Sequence, residues 1–202
     1  METLFFDINR IPVAVIAIIA VSIGGVIFGA AFGNANACLW RVIDVVFGGF
    51  GDRLNKPKRH AGDLFFRGSL VAILIIWAVG MVAIGLQYTG HSLQINHYFE
   101  VIGLCVVLSS GAVWRSILNV QQALEGKAKK GENGALLTLS RSMRVNLNKS
   151  DDYGIARIGI NFLAISFTRN CVAPVLWYLV FGLPGAFFYA GVAACYWRFA
   201  AR

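Results

Sequence analysis

Charged side chains are scarce in this sequence. Asp, Glu, Lys and Arg make up 14% of its 202 residues, against about 25% in a typical soluble domain. Hydrophobic residues make up 57%, and the mean hydropathy is +0.66. This composition excludes an ordinary soluble protein and predicts an integral membrane protein.

The sequence also lacks the common motifs of metal, nucleotide and hydrolase sites. The four cysteines form no Cys-x-x-Cys pair, and only three histidines are present. No glycine-rich phosphate loop, no Gly-x-Ser-x-Gly and no His-Glu-x-x-His occurs. We therefore predict no metal site, and these residues leave the cofactors unknown.

The positive charges are concentrated in two parts of the chain. The formal net charge is +8, and 13 of the 18 Lys and Arg residues lie in residues 53–67 and 115–157. Because both stretches flank apolar segments, the positive-inside rule explains them better than nucleic-acid binding does. The distribution predicts cytoplasmic loops at about 51–67 and 125–154. It predicts a periplasmic N-terminus in a bacterial cytoplasmic (inner) membrane.

Long apolar stretches predict the membrane-spanning helices. A bilayer crossing needs about 20 apolar residues. Residues 155–200 are interrupted by Arg169 and Asn170 and again at 182–185, so they form either one span or a hairpin. We predict an all-α integral membrane protein, a single membrane domain over residues 1–202, with about four to five transmembrane helices. The other predicted spans are 11–33, 68–87 and about 99–113.

Two shorter segments have mixed polar and apolar residues. Residues 38–50 are amphipathic, which is typical of a helix at the membrane interface. Residues 137–145 alternate polar and apolar side chains and fit either a short helix or an extended segment.

Three glycines recur at every fourth residue of the first span. Gly25, Gly29 and Gly33 predict a flat helix face where another backbone can approach closely. Packing within the chain is the favoured interpretation, and dimerisation or docking is the alternative. The expected partners are the lipid bilayer and other membrane protein subunits or a second copy, and no nucleic acid.

Residues 160–189 resemble a signature of the CbiB/CobD family of cobalamin biosynthesis membrane proteins. At three acidic positions of that signature the chain has Asn161, Ile165 and Arg169. The apolar frame of the signature is kept at Leu163, Ala164, Phe167, Val172, Ala173, Pro174, Trp177, Gly182, Pro184, Gly185, Ala186 and Tyr189.

The resemblance extends over most of the chain from about Leu39 onward. The sequences DRLNKP at 52–57, WRSILNVQQAL at 114–124 and LTLSRSM at 137–143 are similar to other family segments. The chain departs from three further family motifs, the first of which is Gly-Asp-Pro. Only Arg41 remains of a His-Pro-Val-Arg motif, and residues 193–197 replace an Asn-Thr-x-Asp-Ser motif. The chain stops before the family's C-terminal third.

The resemblance implies an adenosylcobinamide-phosphate synthase. Such an enzyme joins aminopropanol or its phosphate to adenosylcobyric acid, with ATP and Mg²⁺. Mg²⁺ requires oxygen ligands, chiefly carboxylates and phosphate, so the three replaced acids remove candidate ligands. The chain is therefore more consistent with a non-catalytic structural or accessory subunit, a pseudoenzyme, than with the active ligase. A transporter is a third and weaker interpretation, because no inverted repeat is visible.

Four arginines are candidates for binding an anion such as a phosphate group. They lie within or beside the segments that resemble the family, and guanidinium groups bind phosphate and carboxylate well. The alternative is that these arginines are ordinary membrane-flanking charges. This alternative is favoured for Arg141, Arg144 and Arg157. The candidates are Arg141, Arg144, Arg157 and Arg169.

Overall fold

The computed structural model describes residues 8–30, 33–54, 61–125, 133–147 and 151–199. Within these ranges the chain contains helices and no strands, which confirms the predicted all-α class. A π-helical turn, Thr168–Val172, joins the last two helices. The helices are α1 Arg10–Phe28, α2 Cys38–Leu54, α3 Ala61–Ser92, α4 Asn96–Val107, α5 Gly111–Leu124, α6 Asn133–Met143, α7 Asp152–Phe167 and α8 Ala173–Phe199.

Four helical stretches are long and apolar enough to cross a membrane. Only 17% of the most apolar window is buried inside the protein in each of the first two stretches, so their remaining apolar side chains face outward. Apolar side chains on an outer face are expected where lipid is the solvent. The chain is therefore a multi-pass membrane protein. The stretches are Arg10–Phe28, Phe66–Ser92, Asn96–Leu124 and Asp152–Phe199.

Helix α1 is shorter than the predicted span. It ends at Phe28, and Gly29 and Gly33 have φ values of 72° and 74°. Glycine enters this left-handed region easily because it lacks a Cβ atom. The predicted three-glycine stripe is therefore wrong, since only Gly25 remains on the helix.

Gly25 lies where α1 and α5 pack backbone against backbone. A Cβ atom on Gly25 would lie 2.3 Å from the Ala112 nitrogen, and one on Gly111 would lie 2.1 Å from the Ser22 carbonyl oxygen. The Ser22 and Ser110 hydroxyls are 2.8 Å apart and hydrogen-bonded. This contact is made within the chain, in agreement with the favoured interpretation that the glycines serve packing within the chain.

The predicted third span, about 99–113, lies within the membrane-length stretch Asn96–Leu124, but its helix is interrupted. Helix α4 ends at Val107, and Leu108 is extended with φ −85° and ψ 150°. The Ser109 N–H donates to the Asn170 carbonyl oxygen over 3.1 Å, and the Ser109 hydroxyl donates to the Ala35 carbonyl oxygen. These partners satisfy polar groups at the break, which makes an interruption tolerable in an apolar environment.

The final apolar region forms a hairpin. Gly182, with φ 71° and ψ −161°, interrupts the helical backbone inside α8. The Arg169 guanidinium carbon lies 5.2 Å from the centre of the Tyr196 ring. A straight helix would separate these two residues by about 40 Å. The chain therefore reverses at Gly182, as the hairpin alternative predicts.

The Arg10 side chain stabilises this reversal from the start of α1. Its Nη1 atom donates towards the carbonyl oxygens of Tyr178, Leu179 and Val180, at 3.3 to 3.5 Å. The glycine break leaves carbonyl groups near the turn without their usual helical donors, and a guanidinium group supplies donors instead. Close by, the buried Tyr178 hydroxyl donates to the Glu100 carboxylate over 2.7 Å.

Buried apolar side chains form two clusters. The larger cluster packs α1, α2, α3, α4 and α8 around side chains that include Trp40, Tyr178 and Phe187. The smaller cluster packs α5, α6 and α7 around side chains that include Leu139 and Phe162. The two clusters adjoin at the helix interruptions 108–110 and 168–172, since Leu108 belongs to the larger cluster, α5 to the smaller one, and the π turn contacts both α7 and α8.

Three predicted segments have different boundaries in the structure. Helix α2 covers the amphipathic segment 38–50, and it buries Trp40 and Ile43 in the larger cluster. The segment 137–145 is helical up to Met143. The predicted loops are partly helical, because α2 reaches Leu54, α3 begins at Ala61 and α6 lies inside 125–154. Residues 55–60, 126–132 and 148–150 of these loops lie outside the described residues.

Candidate functional site

A cavity of about 290 Å³ lies between the two clusters. It is lined by side chains from α2, α6, α7, the π turn and the end of α8, which the hairpin brings back to the level of Arg169. Aromatic walls are supplied by Trp40, Tyr196 and Trp197. Its polar lining includes Asn36, Ser142, Arg144, Arg169, Asn170 and Arg198.

A buried hydrogen-bonded layer forms one side of the cavity. The Asn36 amide nitrogen donates to the Ser142 carbonyl oxygen over 3.1 Å, and the Trp197 indole N–H donates to the same oxygen over 2.8 Å. The Asn170 amide nitrogen donates to the Asn36 side-chain oxygen over 3.3 Å. Buried polar groups need such partners. The layer therefore fixes α6, the π turn and the end of α8 relative to one another.

One acceptor in this layer has no partner in the protein. Asn170 is 1% exposed, and its Oδ1 atom is buried without a hydrogen-bond donor among the described residues. An unsatisfied buried acceptor costs about 1–3 kcal/mol. Asn170 lies in the π turn, and such turns are frequent at functional sites.

Arg169 is held in the cavity by aromatic rings. Its guanidinium carbon is 5.7 Å from the centre of the Trp40 ring and 5.2 Å from that of Tyr196. In the described ranges, no carboxylate lies within ion-pair distance of Arg169. Cation–π contacts stabilise the charge without neutralising it, so Arg169 keeps the cavity positive.

The side chains of Arg144 and Arg198 are more constrained than that of Arg169. Arg198 forms an ion pair with Asp44, Nε to Oδ1 at 2.5 Å. Arg144 donates to the Arg198 carbonyl oxygen over 2.8 Å, and its guanidinium carbon lies 5.2 Å from the centre of the Trp197 ring. No Asp or Glu among the described residues lines the cavity, whereas three arginines do.

The structure brings together two of the four predicted anion-binding arginines. Arg144 and Arg169 line the cavity, whereas Arg141 and Arg157 are exposed on α6 and α7 and do not. Arg141 lies instead beside Gly33, where a Cβ atom would be 3.1 Å from its Nη1 atom.

Sequence reasoning missed Arg198 and Asn170 as lining residues. Arg198 follows an apolar stretch, so its only sequence signal is that of membrane-flanking charge. The second arm of the hairpin brings Arg198 back to the cavity, and no local residue spacing predicts this position. Asn170 follows Arg169 directly in the sequence. The only sequence feature that could have indicated its role is that these two polar residues interrupt an apolar stretch.

The cavity does not fit the magnesium ion that the family resemblance implies. Ile165 and Arg169, at positions where the resemblance implies acids, both line it, and Asn161 is exposed on α7. Mg²⁺ takes oxygen ligands, chiefly carboxylates and phosphates. Among the described residues, no three His, Cys, Asp or Glu side chains come together as a metal site. No reaction step through Mg²⁺ follows from these residues.

Comparisons with known proteins give one consistent family. A family model described as CobD/Cbib protein matches residues 22–195. The Cobalamin biosynthesis protein CobD of Sinorhizobium fredii is 28% identical over 149 residues, which cover 70% of this chain and 43% of that protein. The protein of the same name in Brucella suis is 32% identical over 90 residues, 45% of this chain and 27% of that protein.

A third relative, also named Cobalamin biosynthesis protein CobD, comes from Rhizobium meliloti. It is 28% identical over 145 residues, which cover 68% of this chain and 42% of the relative. The chain thus spans less than half the length of these curated relatives. No solved structure matches it.

Proposed function

The chain belongs to the CobD/CbiB family, and we propose that it acts in cobalamin biosynthesis as a membrane-embedded protein. The names of its relatives and its four membrane-length helical stretches support this proposal. The proposed location is the bacterial cytoplasmic membrane. The proposed N-terminus is periplasmic, because the basic residues in 53–67 and 115–157 favour the cytoplasmic side.

The proposed role is that of a non-catalytic accessory subunit. One observation carries it: Arg169 and Ile165 line the cavity, and the family resemblance implies acids at these two positions. A guanidinium group repels a divalent cation, and an isoleucine side chain offers it no ligand. Two described carboxylates are engaged by other side chains, since Asp44 pairs with Arg198 and Glu100 accepts from Tyr178. A subunit of this kind would act with other membrane proteins or with a second copy of itself.

An active ligase is the second candidate function. The retained positive cavity favours it, because arginines in such a cavity suit the phosphate groups of ATP or of aminopropanol phosphate. In that case the ligase would join aminopropanol or its phosphate to adenosylcobyric acid, with its metal ligands supplied outside the cavity described above.

Complementation separates the two candidates. We expect the chain, expressed alone in a bacterial strain that lacks its CobD-type enzyme, not to restore cobalamin-dependent growth. The full-length Sinorhizobium fredii relative under the same promoter is the positive control, and immunoblotting of membranes verifies equal expression. Restored growth at matched expression would contradict the non-catalytic role and support the ligase.

A further inference from the structure

We propose that a second cavity, at the end of α1, binds the headgroup of an anionic phospholipid that carries hydroxyl groups, such as phosphatidylglycerol. This α1-end cavity has a volume of about 270 Å³ and lies between the end of α1, the middle of α5 and the first half of α6. It shares no lining residue with the cavity between the two clusters. The proposed lipid site is therefore independent of the proposed function.

A buried hydroxyl group without a partner is the first observation that favours a ligand there. Ser116 lines the α1-end cavity and is 2% exposed, and its Oγ atom makes no hydrogen bond within the part of the chain that the structure describes. Burying a hydroxyl without a partner is unfavourable. The Asn119 amide lines the same cavity one helical turn further along α5. Because both side chains can donate and accept hydrogen bonds, they suit a ligand that also does both, as the hydroxyl groups of a glycerol headgroup do.

Two arginines make the α1-end cavity and its rim positive. Arg115 lines the cavity from α5. Arg141 lies at the rim, because a Cβ atom on Gly33 would lie 3.1 Å from the Arg141 Nη1 atom and 3.9 Å from the Oγ1 atom of Thr138, which lines the cavity. Neither arginine forms an ion pair within the described ranges, and no described Asp or Glu lines this cavity. Guanidinium groups bind phosphate oxygens well, so these charges complement the phosphodiester of a lipid.

The apolar mouth of the cavity favours a lipid over a soluble anion. Ile27 and Phe28 line the cavity and are 65% and 87% exposed. Ile23 and Ile19 are also exposed, and they lie one and two turns earlier on the same face of α1. The three isoleucines form an apolar ridge about 12 Å long, which leads from the membrane span to the cavity. An acyl chain can lie along this ridge while the headgroup enters the cavity.

Arg115 also contacts the end of α1. Its Nη1 atom donates to the Val26 carbonyl oxygen over 3.4 Å. This single long hydrogen bond leaves other guanidinium N–H groups for a ligand. A role in capping α1 alone would affect the stability of the protein but not its choice between lipid headgroups. Headgroup selectivity is therefore the measurement that separates a lipid site from a capping contact.

Native mass spectrometry of the purified, delipidated full chain in detergent measures this selectivity. The chain is titrated with phosphatidylglycerol and, separately, with phosphatidylcholine of the same acyl chains, whose headgroup has no hydroxyl group and no net charge. Phosphatidylglycerol should bind about tenfold more tightly, because the site offers charged and neutral hydrogen-bond partners that phosphatidylcholine uses only in part. Similar affinity for the two lipids would overturn the proposal.

Substitutions in the α1-end cavity test whether the preference arises there. Arg115→Gln should reduce the preference about fivefold or more, because a charged hydrogen-bond donor is lost. Ser116→Ala should weaken phosphatidylglycerol binding a few-fold. Arg157→Gln is the matched control, since it removes an exposed charge on α7 outside the cavity, and it should keep the preference. If Arg115→Gln does not fold, Arg141→Gln takes its place and should reduce the preference several-fold. A preference that survives the cavity variants, or that falls equally in Arg157→Gln, would overturn the site.

Competition with glycerol 3-phosphate distinguishes a lipid from a soluble anion. Because this ester lacks acyl chains, it should not displace bound phosphatidylglycerol when both are present at equal concentration. Displacement under these conditions would overturn the choice of a lipid as the ligand. Complementation does not enter any of these measurements, so the lipid site and the proposed role in cobalamin biosynthesis can fail separately.

Discussion

The two clusters bury similar helices in different surroundings. In the larger cluster, α1 and α3 expose mainly apolar side chains on their outer faces, including Ile16, Ile23, Ile73 and Trp77. In the smaller cluster, the outer faces mix apolar side chains such as Trp114 with the exposed Arg115, Gln121 and Arg157. The apolar outer faces of the larger cluster suit contact with lipid. The mixed outer faces of the smaller cluster suit the boundary between membrane and water. The difference places the cavity where the two environments meet.

The junction between the clusters is polar and closely packed. Asn36, Ser109 and Asn170 are all buried there, and they link three separate parts of the chain. Gly25 and Gly111 let α1 and α5 approach at the same junction. Substitutions at the junction should therefore disrupt the whole protein, whereas substitutions inside one cluster should have smaller effects.

Gly111→Ala should have the largest effect. The new Cβ atom would lie 2.1 Å from the Ser22 carbonyl oxygen, which belongs to rigid helix backbone. Overpacking costs about 1–3 kcal/mol or more, and here neither backbone can yield without separating α1 from α5. We expect loss of most monodisperse protein in fluorescence-detected size-exclusion chromatography. Gly24→Ala is the matched control, because nothing lies within 4 Å of its Cβ position. Equal behaviour of the two variants would contradict the junction.

Gly182→Ala should have a smaller effect, confined to the hairpin of the larger cluster. Gly182 has φ 71° and ψ −161°, a region that only glycine adopts easily, so alanine should lose about 1–3 kcal/mol of stability. Thermal unfolding in detergent measures this loss. Gly191→Ala, in the second arm of the hairpin, meets only ordinary contacts at 3.6 Å or more and should retain nearly full stability. If the unfolding temperature of Gly182→Ala is no lower than that of this control, the reversal of the chain at Gly182 is wrong.

Local sequence patterns predicted the larger cluster better than the junction. The uncharged runs in α1 and α3 mark spans directly, and the interruption at 182–185 indicated a possible turn. The break at 108–110 could not be predicted, because its stabilising partners, Ala35 and Asn170, lie far away in the sequence. The glycine repeat was misleading because Gly29 ends the helix.

The candidate site was only partly predictable for the same reason. Arg169 stands out as a charge in an apolar stretch, and the family resemblance marks its position. Arg144 was grouped with Arg141 and Arg157 by sequence proximity alone. In the fold, Arg144 lines the cavity, whereas Arg141 and Arg157 do not. Arg198 reaches the cavity only because the hairpin returns to the level of Arg169.

Labelling with a membrane-impermeant maleimide tests most directly whether the end of α3 and the start of α7 lie on opposite sides of the membrane, as the proposed orientation requires. The four native cysteines are first replaced, and single cysteines are placed at the exposed positions Ser92 and Tyr153. Ser92→Cys, at the end of α3, should react in intact cells, and Tyr153→Cys, at the start of α7, should react only after the membrane is opened. Reaction of Tyr153→Cys in intact cells, or protection of Ser92→Cys, would contradict the arrangement.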